Sequence, residues 1–499
     1  MSEPEGGDFE PVRAWLAAQA EEAVETSCAW VFLAGDAALK LKKRVDYGFL
    51  DFTTLEKRRW ALERELSFNR RFAPDIYRRL RRITREGDGY AFDGDGETVD
   101  LVLEMRRFDR RKVLSETPGA LTVEIAEALG RRIARDHIAA PVTPDGGGVK
   151  ALGYTIRTNA EHLRLLKGPL DADAVERVVA GTDAAFAAMS PLLEARRKAG
   201  FARHCHGDLH LGNILLEDGE PKPFDCIEFN DLLSEIDTLY DIAFTLMDLC
   251  FRGRQDAANR ALNAYLDEAQ RGLPPGVLEG LAALPLMLSA RATVRAHVSW
   301  HSGAPEQSAP YLAAAEAHLN PPPPRLLAIG GVSGTGKSTI ARLVAPRLGA
   351  APGAVILRSD EVRKRLLGQA PTDRAGAAAY ARDAVQKVYA RMMEDARIAL
   401  AAGCTVILDA TFLDVANRDE AAALARSAGV PFHGVWLTAP AQVLEARVGA
   451  RHGDASDATV ATLRQQLARD RGRLDWTVTD AVDAEAAAGA IAAAAGARP

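Results

Sequence analysis

The 499-residue sequence predicts two domains in tandem, an α+β domain followed by a doubly wound parallel α/β sheet. Three observations carry this reading. The first is the stretch His206-Gly207-Asp208-Leu209-His210-Leu211-Gly212-Asn213, followed after a short loop by Phe224-Asp225-Cys226-Ile227-Glu228. The second is a glycine-rich stretch, Gly331-Val332-Ser333-Gly334-Thr335-Gly336-Lys337-Ser338, set between an apolar run and a helical one. The third is the run Pro321-Pro322-Pro323-Pro324 between them, a composition that favours an extended, semi-rigid spacer.

Length and composition bound the rest. A chain this long exceeds one ordinary core, and 47% apolar with 26% charged residues is a soluble globular balance. The 62 basic and 68 acidic residues leave a net charge of −6, which gives no global attraction to nucleic acid or an anionic membrane. Cys28, Cys205, Cys226, Cys250 and Cys404 form no C-x-x-C pair, which argues against a disulfide framework or zinc site and for a reducing compartment. Met1 to Phe9 lack the basic and apolar regions of a signal peptide. No apolar run reaches the roughly 18 residues that span a bilayer, so a cytoplasmic protein is expected.

Taken in order, Pro11 to Ala23 reads as a helix. Trp30 to Leu33, a Gly35-Asp36 turn and Ala37 to Val45 read as a β-hairpin, with Ala38, Lys40 and Lys42 on one face of its second strand. Leu55 to Phe72 has helical spacing with many charges opposite its apolar stripe, and carries Glu63 and Glu65. The arginines of Tyr77 to Arg82, with Arg106, Arg107, Arg110 and Arg111, read as a solvated or salt-bridged face rather than an anion-binding patch. Asp100 to Met105 is an apolar strand ending in a polar step. Helical patterns run from Leu121 to about Arg197 and from Leu239 to about Trp300. Between them, Ile214-Leu215-Leu216 and Pro223-Phe224 read as a hairpin with Asp218-Gly219 in its turn. That hairpin would bring Asn213 and Asp225 side by side, facing one metal.

Phosphoryl transfer needs one carboxylate near the attacking hydroxyl and further oxygen ligands for Mg²⁺. Asp208 and Asn213, with Asp225 at the end of the hairpin, supply such a set. Residues 25 to 300 resemble the aminoglycoside phosphotransferase and choline kinase branch of the protein-kinase-like superfamily, whose catalytic loop reads H-G-D-x-x-x-x-N. The resemblance implies a protein-kinase-like bilobal fold with Asp208 as catalytic base, Asn213 as a Mg²⁺ ligand and Asp225 as the metal-binding Asp. His206 is then a packing and orienting group, and neither it nor His210 is assigned to a metal. The spacing Ala38-x-Lys40 is similar to the end of V-A-I-K, which makes Lys40 the phosphate lysine, with Lys42 the competitor. Glu65, with Glu63 second, would pair with that lysine. Backbone groups around Glu104 and Met105 would face adenine at the hinge between lobes. Asp237, ahead of Leu239-Tyr240-Asp241-Ile242-Ala243, would brace the catalytic loop.

In the second domain, Leu326 to Ile329 is a buried-type strand entering the glycine loop, and Thr339 to Leu348 continues as a helix. That is the context of G-x-x-x-x-G-K-[ST], where backbone N–H groups and the helix N-terminus cradle phosphate. Gly331 to Thr339 would bind the nucleotide, Lys337 contacting its β- and γ-phosphates and Ser338 ligating Mg²⁺. Further strands at Ala354 to Leu357, Thr405 to Leu408 and His433 to Leu437, separated by helices, predict a parallel sheet with ligands at the strand ends. Arg358-x-Asp360-x-x-Arg363 resembles small P-loop kinases such as the polynucleotide kinase domain, adenylylsulfate kinase and gluconate kinase. There Asp360 would be the base and Arg363 would orient the acceptor. Asp409-Ala410-Thr411-Phe412, then Asn417-Arg418, is similar to the polynucleotide kinase and zeta-toxin group, with Asp409 near Mg²⁺ or capping a helix, and Arg418 toward substrate. Arg447 and Arg451, four apart, could reach the transferring phosphate from a lid helix.

The tandem resembles bacterial proteins that pair these two modules. The expected division is 1–302, a linker at 303–324, and 325–499. The expected function is an ATP- and Mg²⁺-dependent phosphotransferase with two kinase modules acting on hydroxyls of small molecules. Nucleic acid is disfavoured as a partner. The alternatives are a nucleic-acid 5′-hydroxyl kinase in the second module, or one module acting as a nucleotide-sensing regulator of the other.

Overall fold

The computed structural model describes residues 9–46, 50–166, 168–450 and 456–496. Its first part is an antiparallel sheet in the order β1-β2-β3-β6-β4-β5. The strands are β1 (Glu22–Glu25), β2 (Ala29–Ala34), β3 (Ala37–Lys42), β4 (Tyr77–Glu86), β5 (Gly89–Phe92) and β6 (Thr98–Arg106). Successive residues of a strand point to opposite faces, and each face has its own cover. Val12 and Leu16 of α1 (Phe9–Ala17) cluster with Phe32, Leu39, Leu41 and Val102, while Leu62 of α2 (Leu55–Phe72) clusters with Ile76, Leu101 and Leu103. The helix expected to run to Ala23 stops at Ala17, because Glu22 to Glu25 pair with Trp30 to Leu33 as an edge strand. The basic stretch at Tyr77 is strand β4, and its arginines are salt-bridged as expected: Arg78 to Asp36, Arg79 to Glu104 and Arg81 to Asp93.

The second lobe is helical: α3 (Val123–Ala139), α4 (Gly148–Leu165), α5 (Ala172–Ala199), α6 (Asp231–Ser234), α7 (Thr238–Phe251), α8 (Gln255–Gly272) and α9 (Leu284–His301). Two small antiparallel pairs lie among them, β7 (Ala202–His204) with β10 (Glu235–Asp237), and β8 (Ile214–Glu217) with β9 (Glu220–Pro223). Asp218 and Gly219 join β8 to β9 with φ of 53° and 79°, the paired positive values of a type I′ hairpin turn. Helix α7 is buried over Thr238 to Leu249 and forms the lobe's axis. The segment expected as a linker with a short helix ahead of its prolines carries that helix as α10 (Ser308–His318), whose Tyr311, Leu312 and Ala315 are buried, Tyr311 stacking on Phe251 of α7 at 3.6 Å. Only the stretch from Leu319 to Arg325 is left as the connection.

A five-stranded parallel sheet follows, ordered β12-β13-β11-β14-β15. Its elements are β11 (Leu326–Gly330), α11 (Lys337–Val344), β12 (Val355–Arg358), α12 (Ser359–Leu366), α13 (Arg382–Ala401), β13 (Val406–Asp409), α14 (Val415–Ala428), β14 (Phe432–Thr438), α15 (Ala441–Gly449), α16 (Val460–Ala468), β15 (Thr477–Asp480) and α17 (Ala484–Ala494). Strand β11 is buried at all five residues, as a central parallel strand must be.

Helix α8 of the first part lies along the edge of this sheet. Asn259 and Asn263 donate to the Ala354 carbonyl at 3.0 and 3.2 Å, and Asn263 accepts the Ile356 N–H at 2.7 Å. Asp267 accepts from Arg365 of α12 at 3.0 Å, and Arg271 donates to the Gln369 carbonyl at 2.6 Å. These four side chains recur every fourth residue, so they form one stripe of the helix. The stripe satisfies edge-strand groups that would otherwise be unpaired.

Candidate active sites

The first site gathers residues from both lobes. Strand β3 alternates so that Lys40 and Lys42 share a face, and α2 presents Glu65 to both. Lys40 Nζ is 2.6 Å from Glu65 Oε1 and 3.1 Å from Asp225 Oδ1. Lys42 Nζ is 2.6 Å from Glu65 Oε2 and 2.7 Å from Glu228 Oε1, with 1% of the residue exposed. Only Lys40 therefore meets Asp225, while Lys42 ties α2 to the residues after it. Burial pushes the Glu65 carboxyl up, but Lys40 and Lys42 outweigh this and hold it below the usual carboxylate range. Glu63 faces outward.

Asp225 adopts φ 59°, a left-handed conformation that non-glycine residues rarely hold. Its N–H donates to the Tyr77 hydroxyl at 3.0 Å, and the next N–H, of Cys226, donates to Asn69 Oδ1 at 2.9 Å. Asn69 lies four residues after Glu65, so one face of α2 holds both Lys40 and the loop carrying Asp225. The signal for Asn69 in the sequence is that E-x-x-x-N spacing.

The Asp208 loop is held from beneath by α7. Asp241 accepts the N–H groups of His206 and Gly207 at 3.0 and 2.8 Å and bonds His137 Nε2 at 3.1 Å. Thr245 donates to the Leu209 carbonyl at 2.6 Å, and Asp248 accepts the Leu211 N–H at 2.9 Å. The brace is thus Asp241 and not Asp237. Asp237 caps α7 through the Leu239 N–H at 2.8 Å and makes a two-pronged pair with Arg196 at 2.7 and 2.8 Å. The reason is position: a cap sits outside the helix, whereas Asp241 begins the stripe that faces the loop. At Gly207 an added Cβ would lie 2.7 Å from the Leu233 carbonyl oxygen, so the tight turn admits only glycine.

Within the loop, Asn213 donates to the Asp208 carboxylate and carbonyl, both at 2.9 Å, and His210 Nε2 lies 3.4 Å from the carboxylate. Burial raises the Asp208 carboxyl, but His210 and then His206 more than offset it, so the group stays ionised well below the usual range. His206 bonds the Phe224 carbonyl at 2.9 Å, linking this loop to the one carrying Asp225. Lys40, Glu65, Asp208, Asn213 and Asp225 are thereby assembled through direct contacts and these bridging groups. Glu104 and Met105 are not free for a ligand as expected. Both lie between β3 and β4, opposite Leu39 and Ala38 on one side and Arg79 and Tyr77 on the other, so their backbone groups face the ladder. The backbone leaves the sheet only past Arg107, whose N–H still donates to the Asp36 carbonyl at 2.8 Å.

The second site is the glycine loop between β11 and α11. Gly331, Gly334 and Gly336 have φ of 143°, 86° and 85°. A Cβ at Gly331 would sit 2.8 Å from the Leu437 carbonyl oxygen, and one at Gly334 would sit 2.9 Å from that of Leu444. Val332 accepts from Lys337 Nζ at 3.1 Å and from the Thr335 hydroxyl at 2.9 Å. Ser338 donates to Asp409 Oδ2 at 2.5 Å, with Arg358 Nε 3.7 Å from the same oxygen. The Ser333 N–H donates to Gln466 Oε1 of α16 at 2.7 Å, a contact no sequence motif announced.

A cleft of about 600 Å³ joins Lys337, Ser338, Thr339, Asp360, Arg363 and Asp409. Asp360 pairs with Arg363, whose guanidinium lies 4.6 Å over Tyr380. Two expected residues point elsewhere. Arg418 is 3% exposed and donates to the carbonyls of Phe412, Leu413, Arg471 and Arg473, so its guanidinium knits two loops and is spent. Arg447 donates to the carbonyls of Ala481 and Val482 at 3.0 and 2.8 Å, beside Gly336 but turned from the cleft. Arg451 lies outside the described residues.

Both carboxylate sets offer hard oxygen donors of the kind Mg²⁺ takes. Asp225 already faces a cation, the Lys40 ammonium, and Asp409 already faces the Ser338 hydroxyl. In contrast, the buried group His137, Cys205 and Asp241 is occupied otherwise, His137 by Tyr265 at 3.1 Å and Asp241 by the loop amides.

Residues 52–276 match the model of the Phosphotransferase enzyme family, and residues 326–471 match that of an AAA domain. Over 480 residues the chain is 34% identical to the uncharacterized protein Rv2004c of Mycobacterium tuberculosis, covering 92% of this chain and 91% of that protein. An adenylyl-sulfate kinase of Myxococcus xanthus is 33% identical over 125 residues, 24% of this chain and 62% of that protein. The solved structure of choline kinase from Cryptosporidium parvum is 11% identical with a TM-score of 0.40, covering 62% of this chain and 93% of that one.

Proposed function

We propose a function from the premise that the chain belongs to the family of its mycobacterial relative, joins a Phosphotransferase enzyme family region to an AAA-domain region, and is a phosphotransferase with an alcohol acceptor. Each region is a kinase module that transfers the γ-phosphoryl of ATP to a hydroxyl of a small molecule, in the cytoplasm. The observation that carries this reading is the convergence of Lys40, Glu65, Asp208, Asn213 and Asp225, drawn from positions far apart in the chain, into one connected set.

In the first module Asp208, kept ionised, accepts the acceptor's proton, and Asn213 holds that carboxylate in place. Lys40, positioned by Glu65, holds the α- and β-phosphates. Asn213 and Asp225 would hold Mg²⁺, as would Ser338 and Asp409 in the second module; the ion when bound neutralises phosphate charge. In the second module the loop amides and Lys337 cradle the phosphates, Asp360 takes the proton, and Arg363 orients the acceptor. The net charge of −6 favours a small molecule over a nucleic-acid end; Asp457, in the lining of the cleft, accepts from Lys364 and from the Tyr380 hydroxyl, both at 2.8 Å.

The test is phosphorylated-product detection from ATP and a metabolite pool, for the wild type, Asp208→Ala and Lys337→Ala. Each substitution is expected to remove a different product by a factor of about 10² to 10⁴, the range for a general base or a preorganised charge. Loss of all turnover with Lys337→Ala and none with Asp208→Ala would make the first module a binding or regulatory unit.

A further inference from the structure

We infer that Gln466 of α16 recognises the terminal phosphate of a nucleoside triphosphate in the cleft of the glycine loop, through a side-chain amide that the loop itself aims. This role rests on the nucleotide site proposed above for the second module. It adds to that site the group that tells a triphosphate from a diphosphate.

The side chain is fixed by the loop it touches. Thr459 caps α16 through the Thr462 N–H at 3.2 Å, and Leu463 is buried and seats the helix. Gln466 lies three residues on, a neighbour on the same helix face. Its Oε1 accepts the Ser333 N–H at 2.7 Å. A backbone N–H can only donate, so the amide oxygen faces Ser333 and Nε2 is left for another acceptor. Among the described residues Nε2 has none, and Ser333, Gln466, Lys337 and Ser338 line one cleft. The glycine loop and the start of α11 suit phosphate in that cleft. Nε2 is therefore an oriented donor beside them, still without its partner.

The cations of α15 and α16 near the loop are committed elsewhere. Arg447 donates to the carbonyls of Ala481 and Val482, and Arg469, three residues after Gln466, pairs with Asp414 at 2.5 Å. The loop that aims Gln466 is also confined: at Gly334, the residue after Ser333, an added Cβ would lie 2.9 Å from the Leu444 carbonyl oxygen of α15. Helix N-terminal amides and Lys337 serve the inner phosphates. A neutral amide held beside them adds one hydrogen bond to a charged oxygen, a bond stronger than one between neutral groups, and only a further phosphate supplies that oxygen.

The test is calorimetric titration of the full chain with ADP and, separately, with the β,γ-imido analogue of ATP, both with Mg²⁺, in a Lys40→Met background that removes the lysine of the first site. Gln466→Glu keeps an acceptor for Ser333 but replaces the donor by a negative charge, and Gln466→Ala removes both. In each variant the analogue is expected to bind at least about tenfold more weakly, most weakly in Gln466→Glu, with ADP affinity kept within about twofold. Equal weakening of both nucleotides in Gln466→Ala, with neither weakened in Gln466→Glu, would make the side chain a strut for the loop. Tighter binding in Gln466→Ala would make it a plug. Either result, or affinities unchanged in both variants, overturns the inference. Lys337→Ala separates it from the reading it rests on: if that substitution abolishes binding while the Gln466 variants bind as the wild type does, the inference alone fails, whereas binding indifferent to Lys337→Ala removes the nucleotide site and the inference together. Thermal unfolding without ligand reports whether each variant folds; if Lys40→Met does not, Lys40 is kept and the site sensitive to Lys337→Ala is the one scored.

Discussion

Asp237 and Asp241 are two buried aspartates four residues apart on one helix end, and their partners give them separate duties. Asp237 answers Arg196, so Asp237→Ala strands a buried guanidinium and is expected to cost about 3–5 kcal/mol of stability, with the steady-state rate of the folded enzyme little changed. Asp241 answers the amides of His206 and Gly207, so Asp241→Asn, which removes one acceptor, is expected to lower the first-site kcat more than it raises KM. Denaturant unfolding and product kinetics on the two variants separate the roles. Equal kcat losses in both would return the bracing role to Asp237. Sequence spacing alone does not distinguish the two, because both precede or enter an apolar helix and only the helix's rotation against the loop decides.

At the scale of elements, α7 and α8 work alike. Each uses residues at helical spacing to hold backbone that has no ladder partner, Asp241, Thr245 and Asp248 under the Asp208 loop and Asn259, Asn263 and Arg271 along β12 and after α12, with Asp267 adding a side-chain pair to Arg365. Removing such a side chain leaves a buried group unsatisfied, at about 1–3 kcal/mol. Asn263→Ala is therefore expected to destabilise the chain by that amount and to slow the second-site product, since β12 leads directly into Asp360, while the first-site product is preserved. Urea unfolding and the two-product assay check it; an equal slowing of both products would mean the stripe supports the whole chain rather than β12. The glycine loop, the I′ hairpin and α2 were legible in the sequence because each is local: glycines with positive φ, a two-residue turn, one apolar stripe. Strands β1, β4 and β15 were not, because charged or short edge segments take their conformation from the neighbour they pair with.

For the whole molecule, three histidines whose basicity the fold lowers, one buried and two partly buried, contribute to the response to acid. Burial, and for His297 the adjacent His162, lowers His297 from 6.5 to about 3; burial lowers His318 to about 4, and burial with Arg71 lowers His204 to about 4. A folded pKa below the unfolded one means the unfolded chain binds protons that the folded chain refuses, so stability is full above pH 6.5 and falls as pH drops toward 4. The urea midpoint is expected to decline steadily between pH 7 and pH 4.5, and a flat profile over that window would contradict the burial of these imidazoles. No helix among the described residues is long and apolar enough to cross a membrane.

By itself the sequence determined the two fold classes and their order and put forward candidate residues for phosphoryl chemistry, because those depend on short-range patterns: a carboxylate and amide at fixed spacing, glycines where a Cβ cannot fit, apolar periodicity. Tertiary structure decided which of two lysines meets Asp225, which aspartate braces the loop, and that Arg418 and Arg447 spend their donors on backbone carbonyls. It also decided that α8 docks on the second sheet. Those outcomes depend on how elements distant in the chain rotate against one another when buried donors and acceptors must all find partners, and no local spacing encodes that rotation.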